Sequence, residues 1–472
     1  MARVRNLAAV TTGLLTALAF APTGANAGTP EPASSTSVNL PDPSLSHARQ
    51  LLRSGQTAQA ERIVRGALLS DPSDTLLTLS GEIAFRRADF DDAAAAFTSA
   101  LLRNPDNARA HWGLGRIDQL HFRAEPARNH FSRAYSFDPR DTDIILSYAE
   151  FVDDPGSRAT LLRNVAVLSW PADPDRAERA VAQLKILERL QGRTPARLAS
   201  PYTSYRLPLS GFRPVGAKQE GVILTARINH GKPVRLLLDS GARGLSLSAS
   251  AAKGLALEPI VASRLGGLGD TGVTSSQLAL ARTLAIGNLT FDECLIDVSE
   301  HSLTNGADGT IGLDLFERFQ IHLNASAHSL DLTPFDGHAA TTSSAGFSAL
   351  GLRNLLLLHT RLESGKAGLF LLDTGASFTA VARDLVPAAA MQGQPLDLRG
   401  AQGPLSALRL SPLQLSVAGR PMMDAAPLAL DLRPFSQIEG VEIAGILGYS
   451  LLGKSSLKID LRNGTVEFVK PR

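Results

Sequence analysis

The stretch "LFLLDTGASFTA" (residues 369–380) runs four apolar residues into an acid, a hydroxyl and a glycine. Leu369-Phe370-Leu371-Leu372 is short and dense in large apolar side chains, which predicts a core strand. Asp373 then falls at the strand's end, where water is scarce. An unpaired carboxylate buried there is costly unless its pKa shifts or a partner group meets it. A single Asp-Thr-Gly is commonly a turn or a helix cap, so the reading depends on whether the pattern returns.

It does return. "VRLLLDSGARGLSL" places Asp239-Ser240-Gly241-Ala242 after Leu236-Leu237-Leu238, matching Asp373-Thr374-Gly375-Ala376. Arg227, Gly231 and Lys232 precede Asp239 at the same offsets at which Arg361, Gly365 and Lys366 precede Asp373. Downstream, "GTIGLDLF" carries Ile311-Gly312 and "AGILGYSLL" carries Leu447-Gly448, each glycine following apolar residues. Twelve residues beyond each glycine stand Asn324 and Asp460, in strand-like runs. Residues 203–338 and 345–472 therefore read as two copies of one mostly-β unit. Duplication is what pairs the two aspartates.

Apolar-apolar-Asp-(Thr/Ser)-Gly-Ala followed by apolar-apolar-Gly resembles the retropepsin-like and pepsin-like aspartic proteases. The resemblance implies a bilobed, mostly-β domain of two barrel-like units about a pseudo-two-fold axis, with one catalytic aspartate from each. A single chain holding both units would build its own site from Asp239 and Asp373. Two carboxylates in one site hold a proton between them, one activating a water and the other polarising the scissile carbonyl. The resemblance further implies that Ser240 and Thr374 bond across to the opposite unit's backbone, and that Gly241 and Gly375 allow the tight turn. Ala242 and Ala376 complete the two loops, and Ile311-Gly312 and Leu447-Gly448 are the accompanying apolar motif.

Two features depart from the pattern. Arg243 stands four residues after Asp239, where the second copy has Ser377. Near the site its cation would depress the aspartate pKa values and obstruct the cleft; turned outward it would do neither. A further Asp270-Thr271-Gly272 in "RLGGLGDTGVTS" has no apolar strand before it and reads as the flap hairpin of the first unit. The second flap is expected in "LRGAQGPLS" (398–406), and neither flap carries a tyrosine, which favours the retropepsin-like comparison.

Ahead of these units a different period runs. Pro72, Pro105 and Pro139 recur at intervals of thirty-three and thirty-four residues, with Ala60, Ala93, Ala127 and Ala67, Ala100, Ala134 at matching offsets. Val64, Phe97 and Phe131 lie between the alanines, and Gly81 and Gly115 precede the second and third sets. This is similar to the tetratricopeptide repeat, and implies an all-α helical solenoid with capping helices over 43–191. "GRTPARLASPY" (192–202) reads as a linker, so a fragment from residue 203 onward is expected to fold alone.

The N-terminus has Arg3 and Arg5, an apolar run from Leu7 to about Ala21, and Ala25-Asn26-Ala27, which reads as a signal peptide over 1–27 cleaved after Ala27. Residues 28–42 are Pro/Ser/Thr-rich and read as a disordered lead-in. The expected destination is the periplasm or the medium, with no membrane span after the signal is removed. A net charge of +2 with 19% charged residues argues against a nucleic-acid partner. The lone Cys294 reads as a small core residue. With no His-Glu-x-x-His, no Cys-x-x-Cys and no Gly-x-Ser-x-Gly, neither a metal, a cofactor nor a serine nucleophile is expected.

The sequence thus points to an exported aspartic endopeptidase acting on a peptide or protein substrate. Its helical repeats would recruit substrate or a protein partner on their concave face. The alternatives are a peptide-binding module that keeps the fold without cutting, favoured by Arg243, or a scaffold dominated by the repeats.

Overall fold

The computed structural model describes residues 43–70, 72–212, 221–266, 273–300, 306–324, 327–335, 346–353, 355–400 and 403–469. The expected signal peptide and lead-in, and Asp270-Thr271-Gly272, lie outside the described residues.

Residues 43–189 form an antiparallel helical array: α1 (Pro43–Arg53), α2 (Thr57–Leu68), α3 (Asp74–Arg86), α4 (Phe90–Arg103), α5 (Ala108–Leu120), α6 (Ala124–Phe137), α7 (Thr142–Ala149), α8 (Pro155–Ser169) and α9 (Pro174–Arg189). The period acts through close approach of helices. Phe97 is fully buried, and a Cβ on Gly81 or on Gly113 would come within 2.7 or 2.3 Å of its ring. Phe131 fills the same role against Gly115. Ser73, Asn107 and Asp141 cap α3, α5 and α7 with their side chains, each accepting an N–H of the first turn. These caps recur every thirty-four residues, close to the thirty-three and thirty-four of the prolines just before them.

The remainder is mostly β and duplicated. In the first unit the strands Gly221–Ile228 and Pro233–Leu238 form a hairpin, and Gly309–Ile311 runs parallel to the latter with Ile311 opposite Leu238. In the second, Leu355–Leu362 and Ala367–Leu372 form the hairpin, and Gly445–Leu447 sets Leu447 opposite Leu372. The matched offsets have a physical counterpart at each hairpin turn. Arg227 donates to the Gly231 carbonyl at 3.1 Å, and Arg361 to the Gly365 carbonyl at 3.2 Å. Long hairpins, Glu258–Gly266 with Val273–Ile286 and Met391–Gly400 with Gly403–Leu410, stand in the two stretches of sequence read as flaps.

A six-stranded sheet joins the units. Its order is Phe347–Ser348, Thr465–Val469, Ser456–Asp460, Phe319–Asn324, Ser329–Pro334 and Tyr205–Pro208. The central pair, Ile321 opposite Ile459 and Leu323 opposite Leu457, crosses between copies, so the order reads alike from either end. The runs around Asn324 and Asp460 are the seam of the duplication.

Two sets of contacts bear on the expected domain boundaries. Within 192–202, expected as a linker, Arg197–Leu198 is a strand paired with Phe291 and Asp292 of the first unit. The helical array is also not independent of the β units. Phe85, Phe90, Phe97, Ile117 and Leu120 share one buried core with Leu350, Leu352, Leu355 and Leu357 of the second unit. At the other end Ala182, Ile186 and Leu190 of α9 and its C-cap pack on Val261, Leu278 and Leu280 of the first unit, and Arg189 pairs with Glu258. The array spans both units because its apolar surface exceeds what its own helices cover, and burying apolar surface is the dominant favourable term.

Candidate active site

Each candidate aspartate is delivered by the end of a buried strand. Leu236 and Leu238 are fully buried, as are Phe370 and Leu372, so the two chains leave the core at fixed points. The Asp239 N–H donates to the Ile311 carbonyl at 2.9 Å, and the Asp373 N–H to the Leu447 carbonyl at 3.0 Å. This is the work of the apolar-apolar-Gly motifs: they run parallel to the aspartate strand and hold its last residue. Gly312 and Gly448 then allow the following loops to close, since a Cβ would lie 2.7 Å from the Ala242 carbonyl oxygen and 2.2 Å from that of Phe378.

The two loops cross. Ser240 Oγ donates to the Leu372 carbonyl at 2.8 Å, and Thr374 Oγ1 donates to the Leu238 carbonyl at 2.8 Å. In return the Ser240 N–H donates to Thr374 Oγ1 at 3.1 Å and the Thr374 N–H to Ser240 Oγ at 2.9 Å. Both hydroxyls are buried, so four backbone groups that water cannot reach are satisfied by two side chains. The glycines act reciprocally too. A Cβ on Gly241 would stand 2.5 Å from Asp373 Cγ, and one on Gly375 would stand 2.3 Å from Asp239 Cγ. Each carboxyl group occupies the space that a side chain on the opposite loop would need.

Asp239 and Asp373 hydrogen-bond each other through their carboxyl groups and titrate as a pair. Burial raises both above the ordinary carboxylate range, and the neighbouring Asp373 charge raises Asp239 further, well above it. Backbone N–H groups work against this at Asp373, whose Oδ1 accepts from Gly375 and Ala376, each at 2.9 Å. Asp239 Oδ1 accepts from Gly241 at 2.9 Å. The arrangement favours one shared proton, with negative charge better tolerated on Asp373.

Arg243 is held by a carboxylate of the second unit. Its Nη2 donates to Glu439 Oε2 at 2.8 Å, across the boundary between the units, and Glu439 is only 5% exposed. Glu439 ends the helix Arg433–Glu439, whose C-terminal Gly440 has φ +77°.

Sequence reasoning missed Glu439, and it missed Asp314 and Ser450. Asp314 accepts the Gly244 N–H on both oxygens, at 3.0 and 2.9 Å, tying down the loop after Asp239. Ser450 Oγ accepts the Thr379 N–H at 3.1 Å in the second unit. Both stand two residues beyond the motif glycine, and that shared offset was available as a signal. Glu439 has no counterpart in the other copy to mark it.

Cys294 is buried and its thiol is pushed up to about 12, as suits a core residue. Among the described residues no group of three or more His, Cys, Asp or Glu side chains could hold a metal ion. Nor is any helix among them long and apolar enough to cross a membrane.

A family model described as aspartyl protease matches residues 224–315 and 360–451, one match in each unit and each containing one aspartate of the pair. Over these two segments, which follow the helical array of residues 43–189, the chain is similar to the aspartyl protease family. A retropepsin-like aspartic protease from Rickettsia conorii is 18% identical, covering 27% of this chain and 98% of that one, with a TM-score of 0.20. An O-GlcNAc transferase mutant from Thermobaculum terrenum is 22% identical over 27% of this chain, with a TM-score of 0.23. The matched part spans only 25% of that transferase. No curated protein matches.

Proposed function

We propose that the protein is an exported aspartic endopeptidase whose site is built within one chain from Asp239 and Asp373. The observation that carries this reading is the reciprocal packing of each carboxyl group against the glycine of the opposite loop, with a hydrogen bond between the carboxyls. A water held between them would lose a proton to the ionised carboxylate and attack the scissile carbonyl carbon. The protonated carboxyl would donate to the carbonyl oxygen, and the resulting tetrahedral species would expel the amine after taking a proton from the pair. Ser240 and Thr374 keep the two loops in register for these transfers. The flap hairpins would cover the peptide and exclude bulk water. Export follows from the N-terminal Arg3, Arg5, apolar run and Ala25-Asn26-Ala27.

The feature that favoured a non-cutting module, Arg243, is committed to Glu439. The deciding experiment is digestion of a peptide library by purified protein with its N-terminal 27 residues removed. Wild type should cut, an aspartic-protease inhibitor should stop it, and Asp239→Asn and Asp373→Asn should each lose cleavage while remaining folded. A single Asn variant that keeps most of its activity, or recovers it on mixing with the other, would refute a site within one chain.

A further inference from the structure

The sheet face beside Asp239 differs in chemistry from the one beside Asp373, although the strands match. In the first unit four strands lie side by side in the order Pro233–Leu238, Gly309–Ile311, Leu245–Ser248 and Leu289–Ser299. Thr310 stands opposite Leu237, Ser246 opposite Thr310, and Asp297 opposite Ser246. Residues paired across strands share a face of the sheet, as do residues two apart on one strand. The face of Leu237 is therefore also that of Asp239, and Thr310, Ser246 and Asp297 form a row across it. The opposite face carries Leu236, Leu238, Leu245, Ile296 and Ile311, all buried in the core. Three strand spacings of about 4.8 Å set Asp297 roughly 14 Å across the sheet from the strand that delivers Asp239.

Hydroxyls line this row. Ser246 Oγ and Thr310 Oγ1 are 2.7 Å apart. From the hairpin read as the first flap, Ser263 Oγ donates to Asp297 Oδ1 at 2.5 Å, and Ser276 Oγ lies 3.2 Å from the same oxygen. Asp297 Oδ2 has no hydrogen-bond or ion-pair partner among the described residues, and no cation among them acts on the carboxyl. Burial raises Asp297 above the ordinary carboxylate range, with only the two serines opposing. The four hydroxyl residues are buried while Asp297 keeps some exposure, so its carboxyl remains open to a ligand. Leu278, opposite Asp297, is covered by α9, which closes the patch on its outer side. The second copy shows that the fold does not demand this polarity. Ala380 stands seven residues past Asp373, as Ser246 does past Asp239, and lies opposite Ile446 and Leu428. Those two hold the places of Thr310 and Asp297, while Ala407 and Leu396 hold those of Ser276 and Ser263. Apolar side chains fill the site there without any desolvation cost.

We propose that Asp297 is a specificity-determining residue, whose carboxylate takes the ammonium or guanidinium of a substrate lysine or arginine about two residues from the scissile bond. It rests on the endopeptidase reading for its peptide ligand. Two extended residues cover about 7 Å of the distance from the aspartate pair, and a long basic side chain covers the rest. The serines fix Oδ1 and leave Oδ2 to the cation, which replaces the water that the carboxylate loses on burial. The second unit has Leu428 at the equivalent place and no carboxylate to offer. The two sides of the scissile bond are therefore read differently, and the direction of the peptide is set.

The test uses apolar peptides that carry lysine, acetyl-lysine or norleucine at each of the two positions on either side of the scissile bond. The reading is kcat/KM for each, together with fluorescence anisotropy of the labelled peptides on the Asp373→Asn protein. Wild type should favour lysine over both neutral residues by about tenfold or more, on one side of the bond only and mainly through KM. The preference should vanish in Asp297→Asn and in Asp297→Leu, and Asp297→Glu should keep part of it. If Asp297→Asn fails to fold, Asp297→Leu carries the test, and the comparison of lysine with acetyl-lysine needs no variant. Equal handling of lysine and its neutral counterparts by the wild type would overturn the pocket. So would an equal lysine preference on both sides of the bond, or one that survives the Asn or Leu substitution. Lysine-selective binding that depends on Asp297, with no cleavage by the wild type, would instead overturn the endopeptidase reading and leave the pocket standing.

Discussion

Ser240 and Thr374 each donate a hydrogen bond to the backbone carbonyl before the other unit's aspartate, and each accepts the other's backbone N–H. Neither loop can reach this geometry without its counterpart, so the site exists only when both units are folded and joined. Ser240→Ala should therefore leave a buried carbonyl and a buried N–H in the opposite unit without partners. The expected loss is about 1–3 kcal/mol for each of Ser240→Ala and Thr374→Val, measured by urea unfolding. The double variant should lose less than the sum, because the two side chains serve one network. Strict additivity would mean that the two hydroxyls act separately.

The aspartate pair is predicted to oppose folding at neutral pH. Both carboxyls have native pKa values raised above the unfolded value, so the native state binds more protons. Stability from this source is full below the unfolded carboxylate value of about 4 and falls as pH rises toward the raised native values. Asp239→Asn removes that loss, so the variant should melt higher than wild type at pH 7. The difference should shrink toward pH 4. A variant that melts lower across this range would contradict the sign.

The pH optimum depends on the same pair. Ala242 and Ala376 present methyl groups where a hydroxyl would donate to the carboxylates, so the charged form is stabilised by the hydrogen bond between the carboxyls and by backbone N–H groups, without a further hydroxyl donor. Cleavage should be greatest at about pH 5–6.5. Ala376→Ser should shift the profile of kcat/KM to lower pH by adding a donor. Arg243 is occupied by Glu439 and should not pull the optimum down. A wild-type optimum at about pH 2–3 would refute this account.

Removing the helical array should damage the protease-like part. A fragment of residues 203–472 would expose Leu350, Leu352 and Leu355, each of which is buried in the whole chain. Each leucine so exposed forfeits about 1.5–3 kcal/mol. The fragment is expected to aggregate or to unfold at lower denaturant than the whole chain, by light scattering and circular dichroism. A monomeric fragment of undiminished stability would show that the shared core is dispensable.

Breaking the ion pair across the units should be felt as stability first. Arg243→Ala leaves Glu439, 5% exposed, with Arg353 alone at 4.0 Å. The expected cost is about 1–3 kcal/mol, below that for a fully buried pair because Arg243 keeps 21% of its surface. Adding Glu439→Gln should recover part of it, since the stranded charge is then gone. No recovery in the double variant would show that Arg243 contributes by packing.

The duplication, the repeat period and the aspartate motifs were legible in the residues because each is local. A short apolar run ending in Asp-(Thr/Ser)-Gly fixes a strand and its turn wherever it stands, and equal offsets in two copies announce equal structures. The small residues opposite Phe97 and Phe131 arise from helix contact at a fixed spacing in the same way. Asp314 and Ser450 were within reach of that reasoning, since both stand at one offset from the motif glycine.

What the sequence could not reveal is what lies against what across long separations. No period links Arg243 to Glu439, or Ile117 to Leu355, because a single contact between elements far apart in the chain leaves no repeated trace. Helix α5 bears a stripe broad enough to cover its neighbours in the array and still meet a β unit, yet an apolar stripe carries no record of which surface it meets. The residues determined two like units, each with its aspartate on a glycine turn, behind a helical array. Only the tertiary structure decided that the array shares its core with one unit and braces the other, because burial is non-directional and is settled by which apolar surfaces remain uncovered when the elements pack.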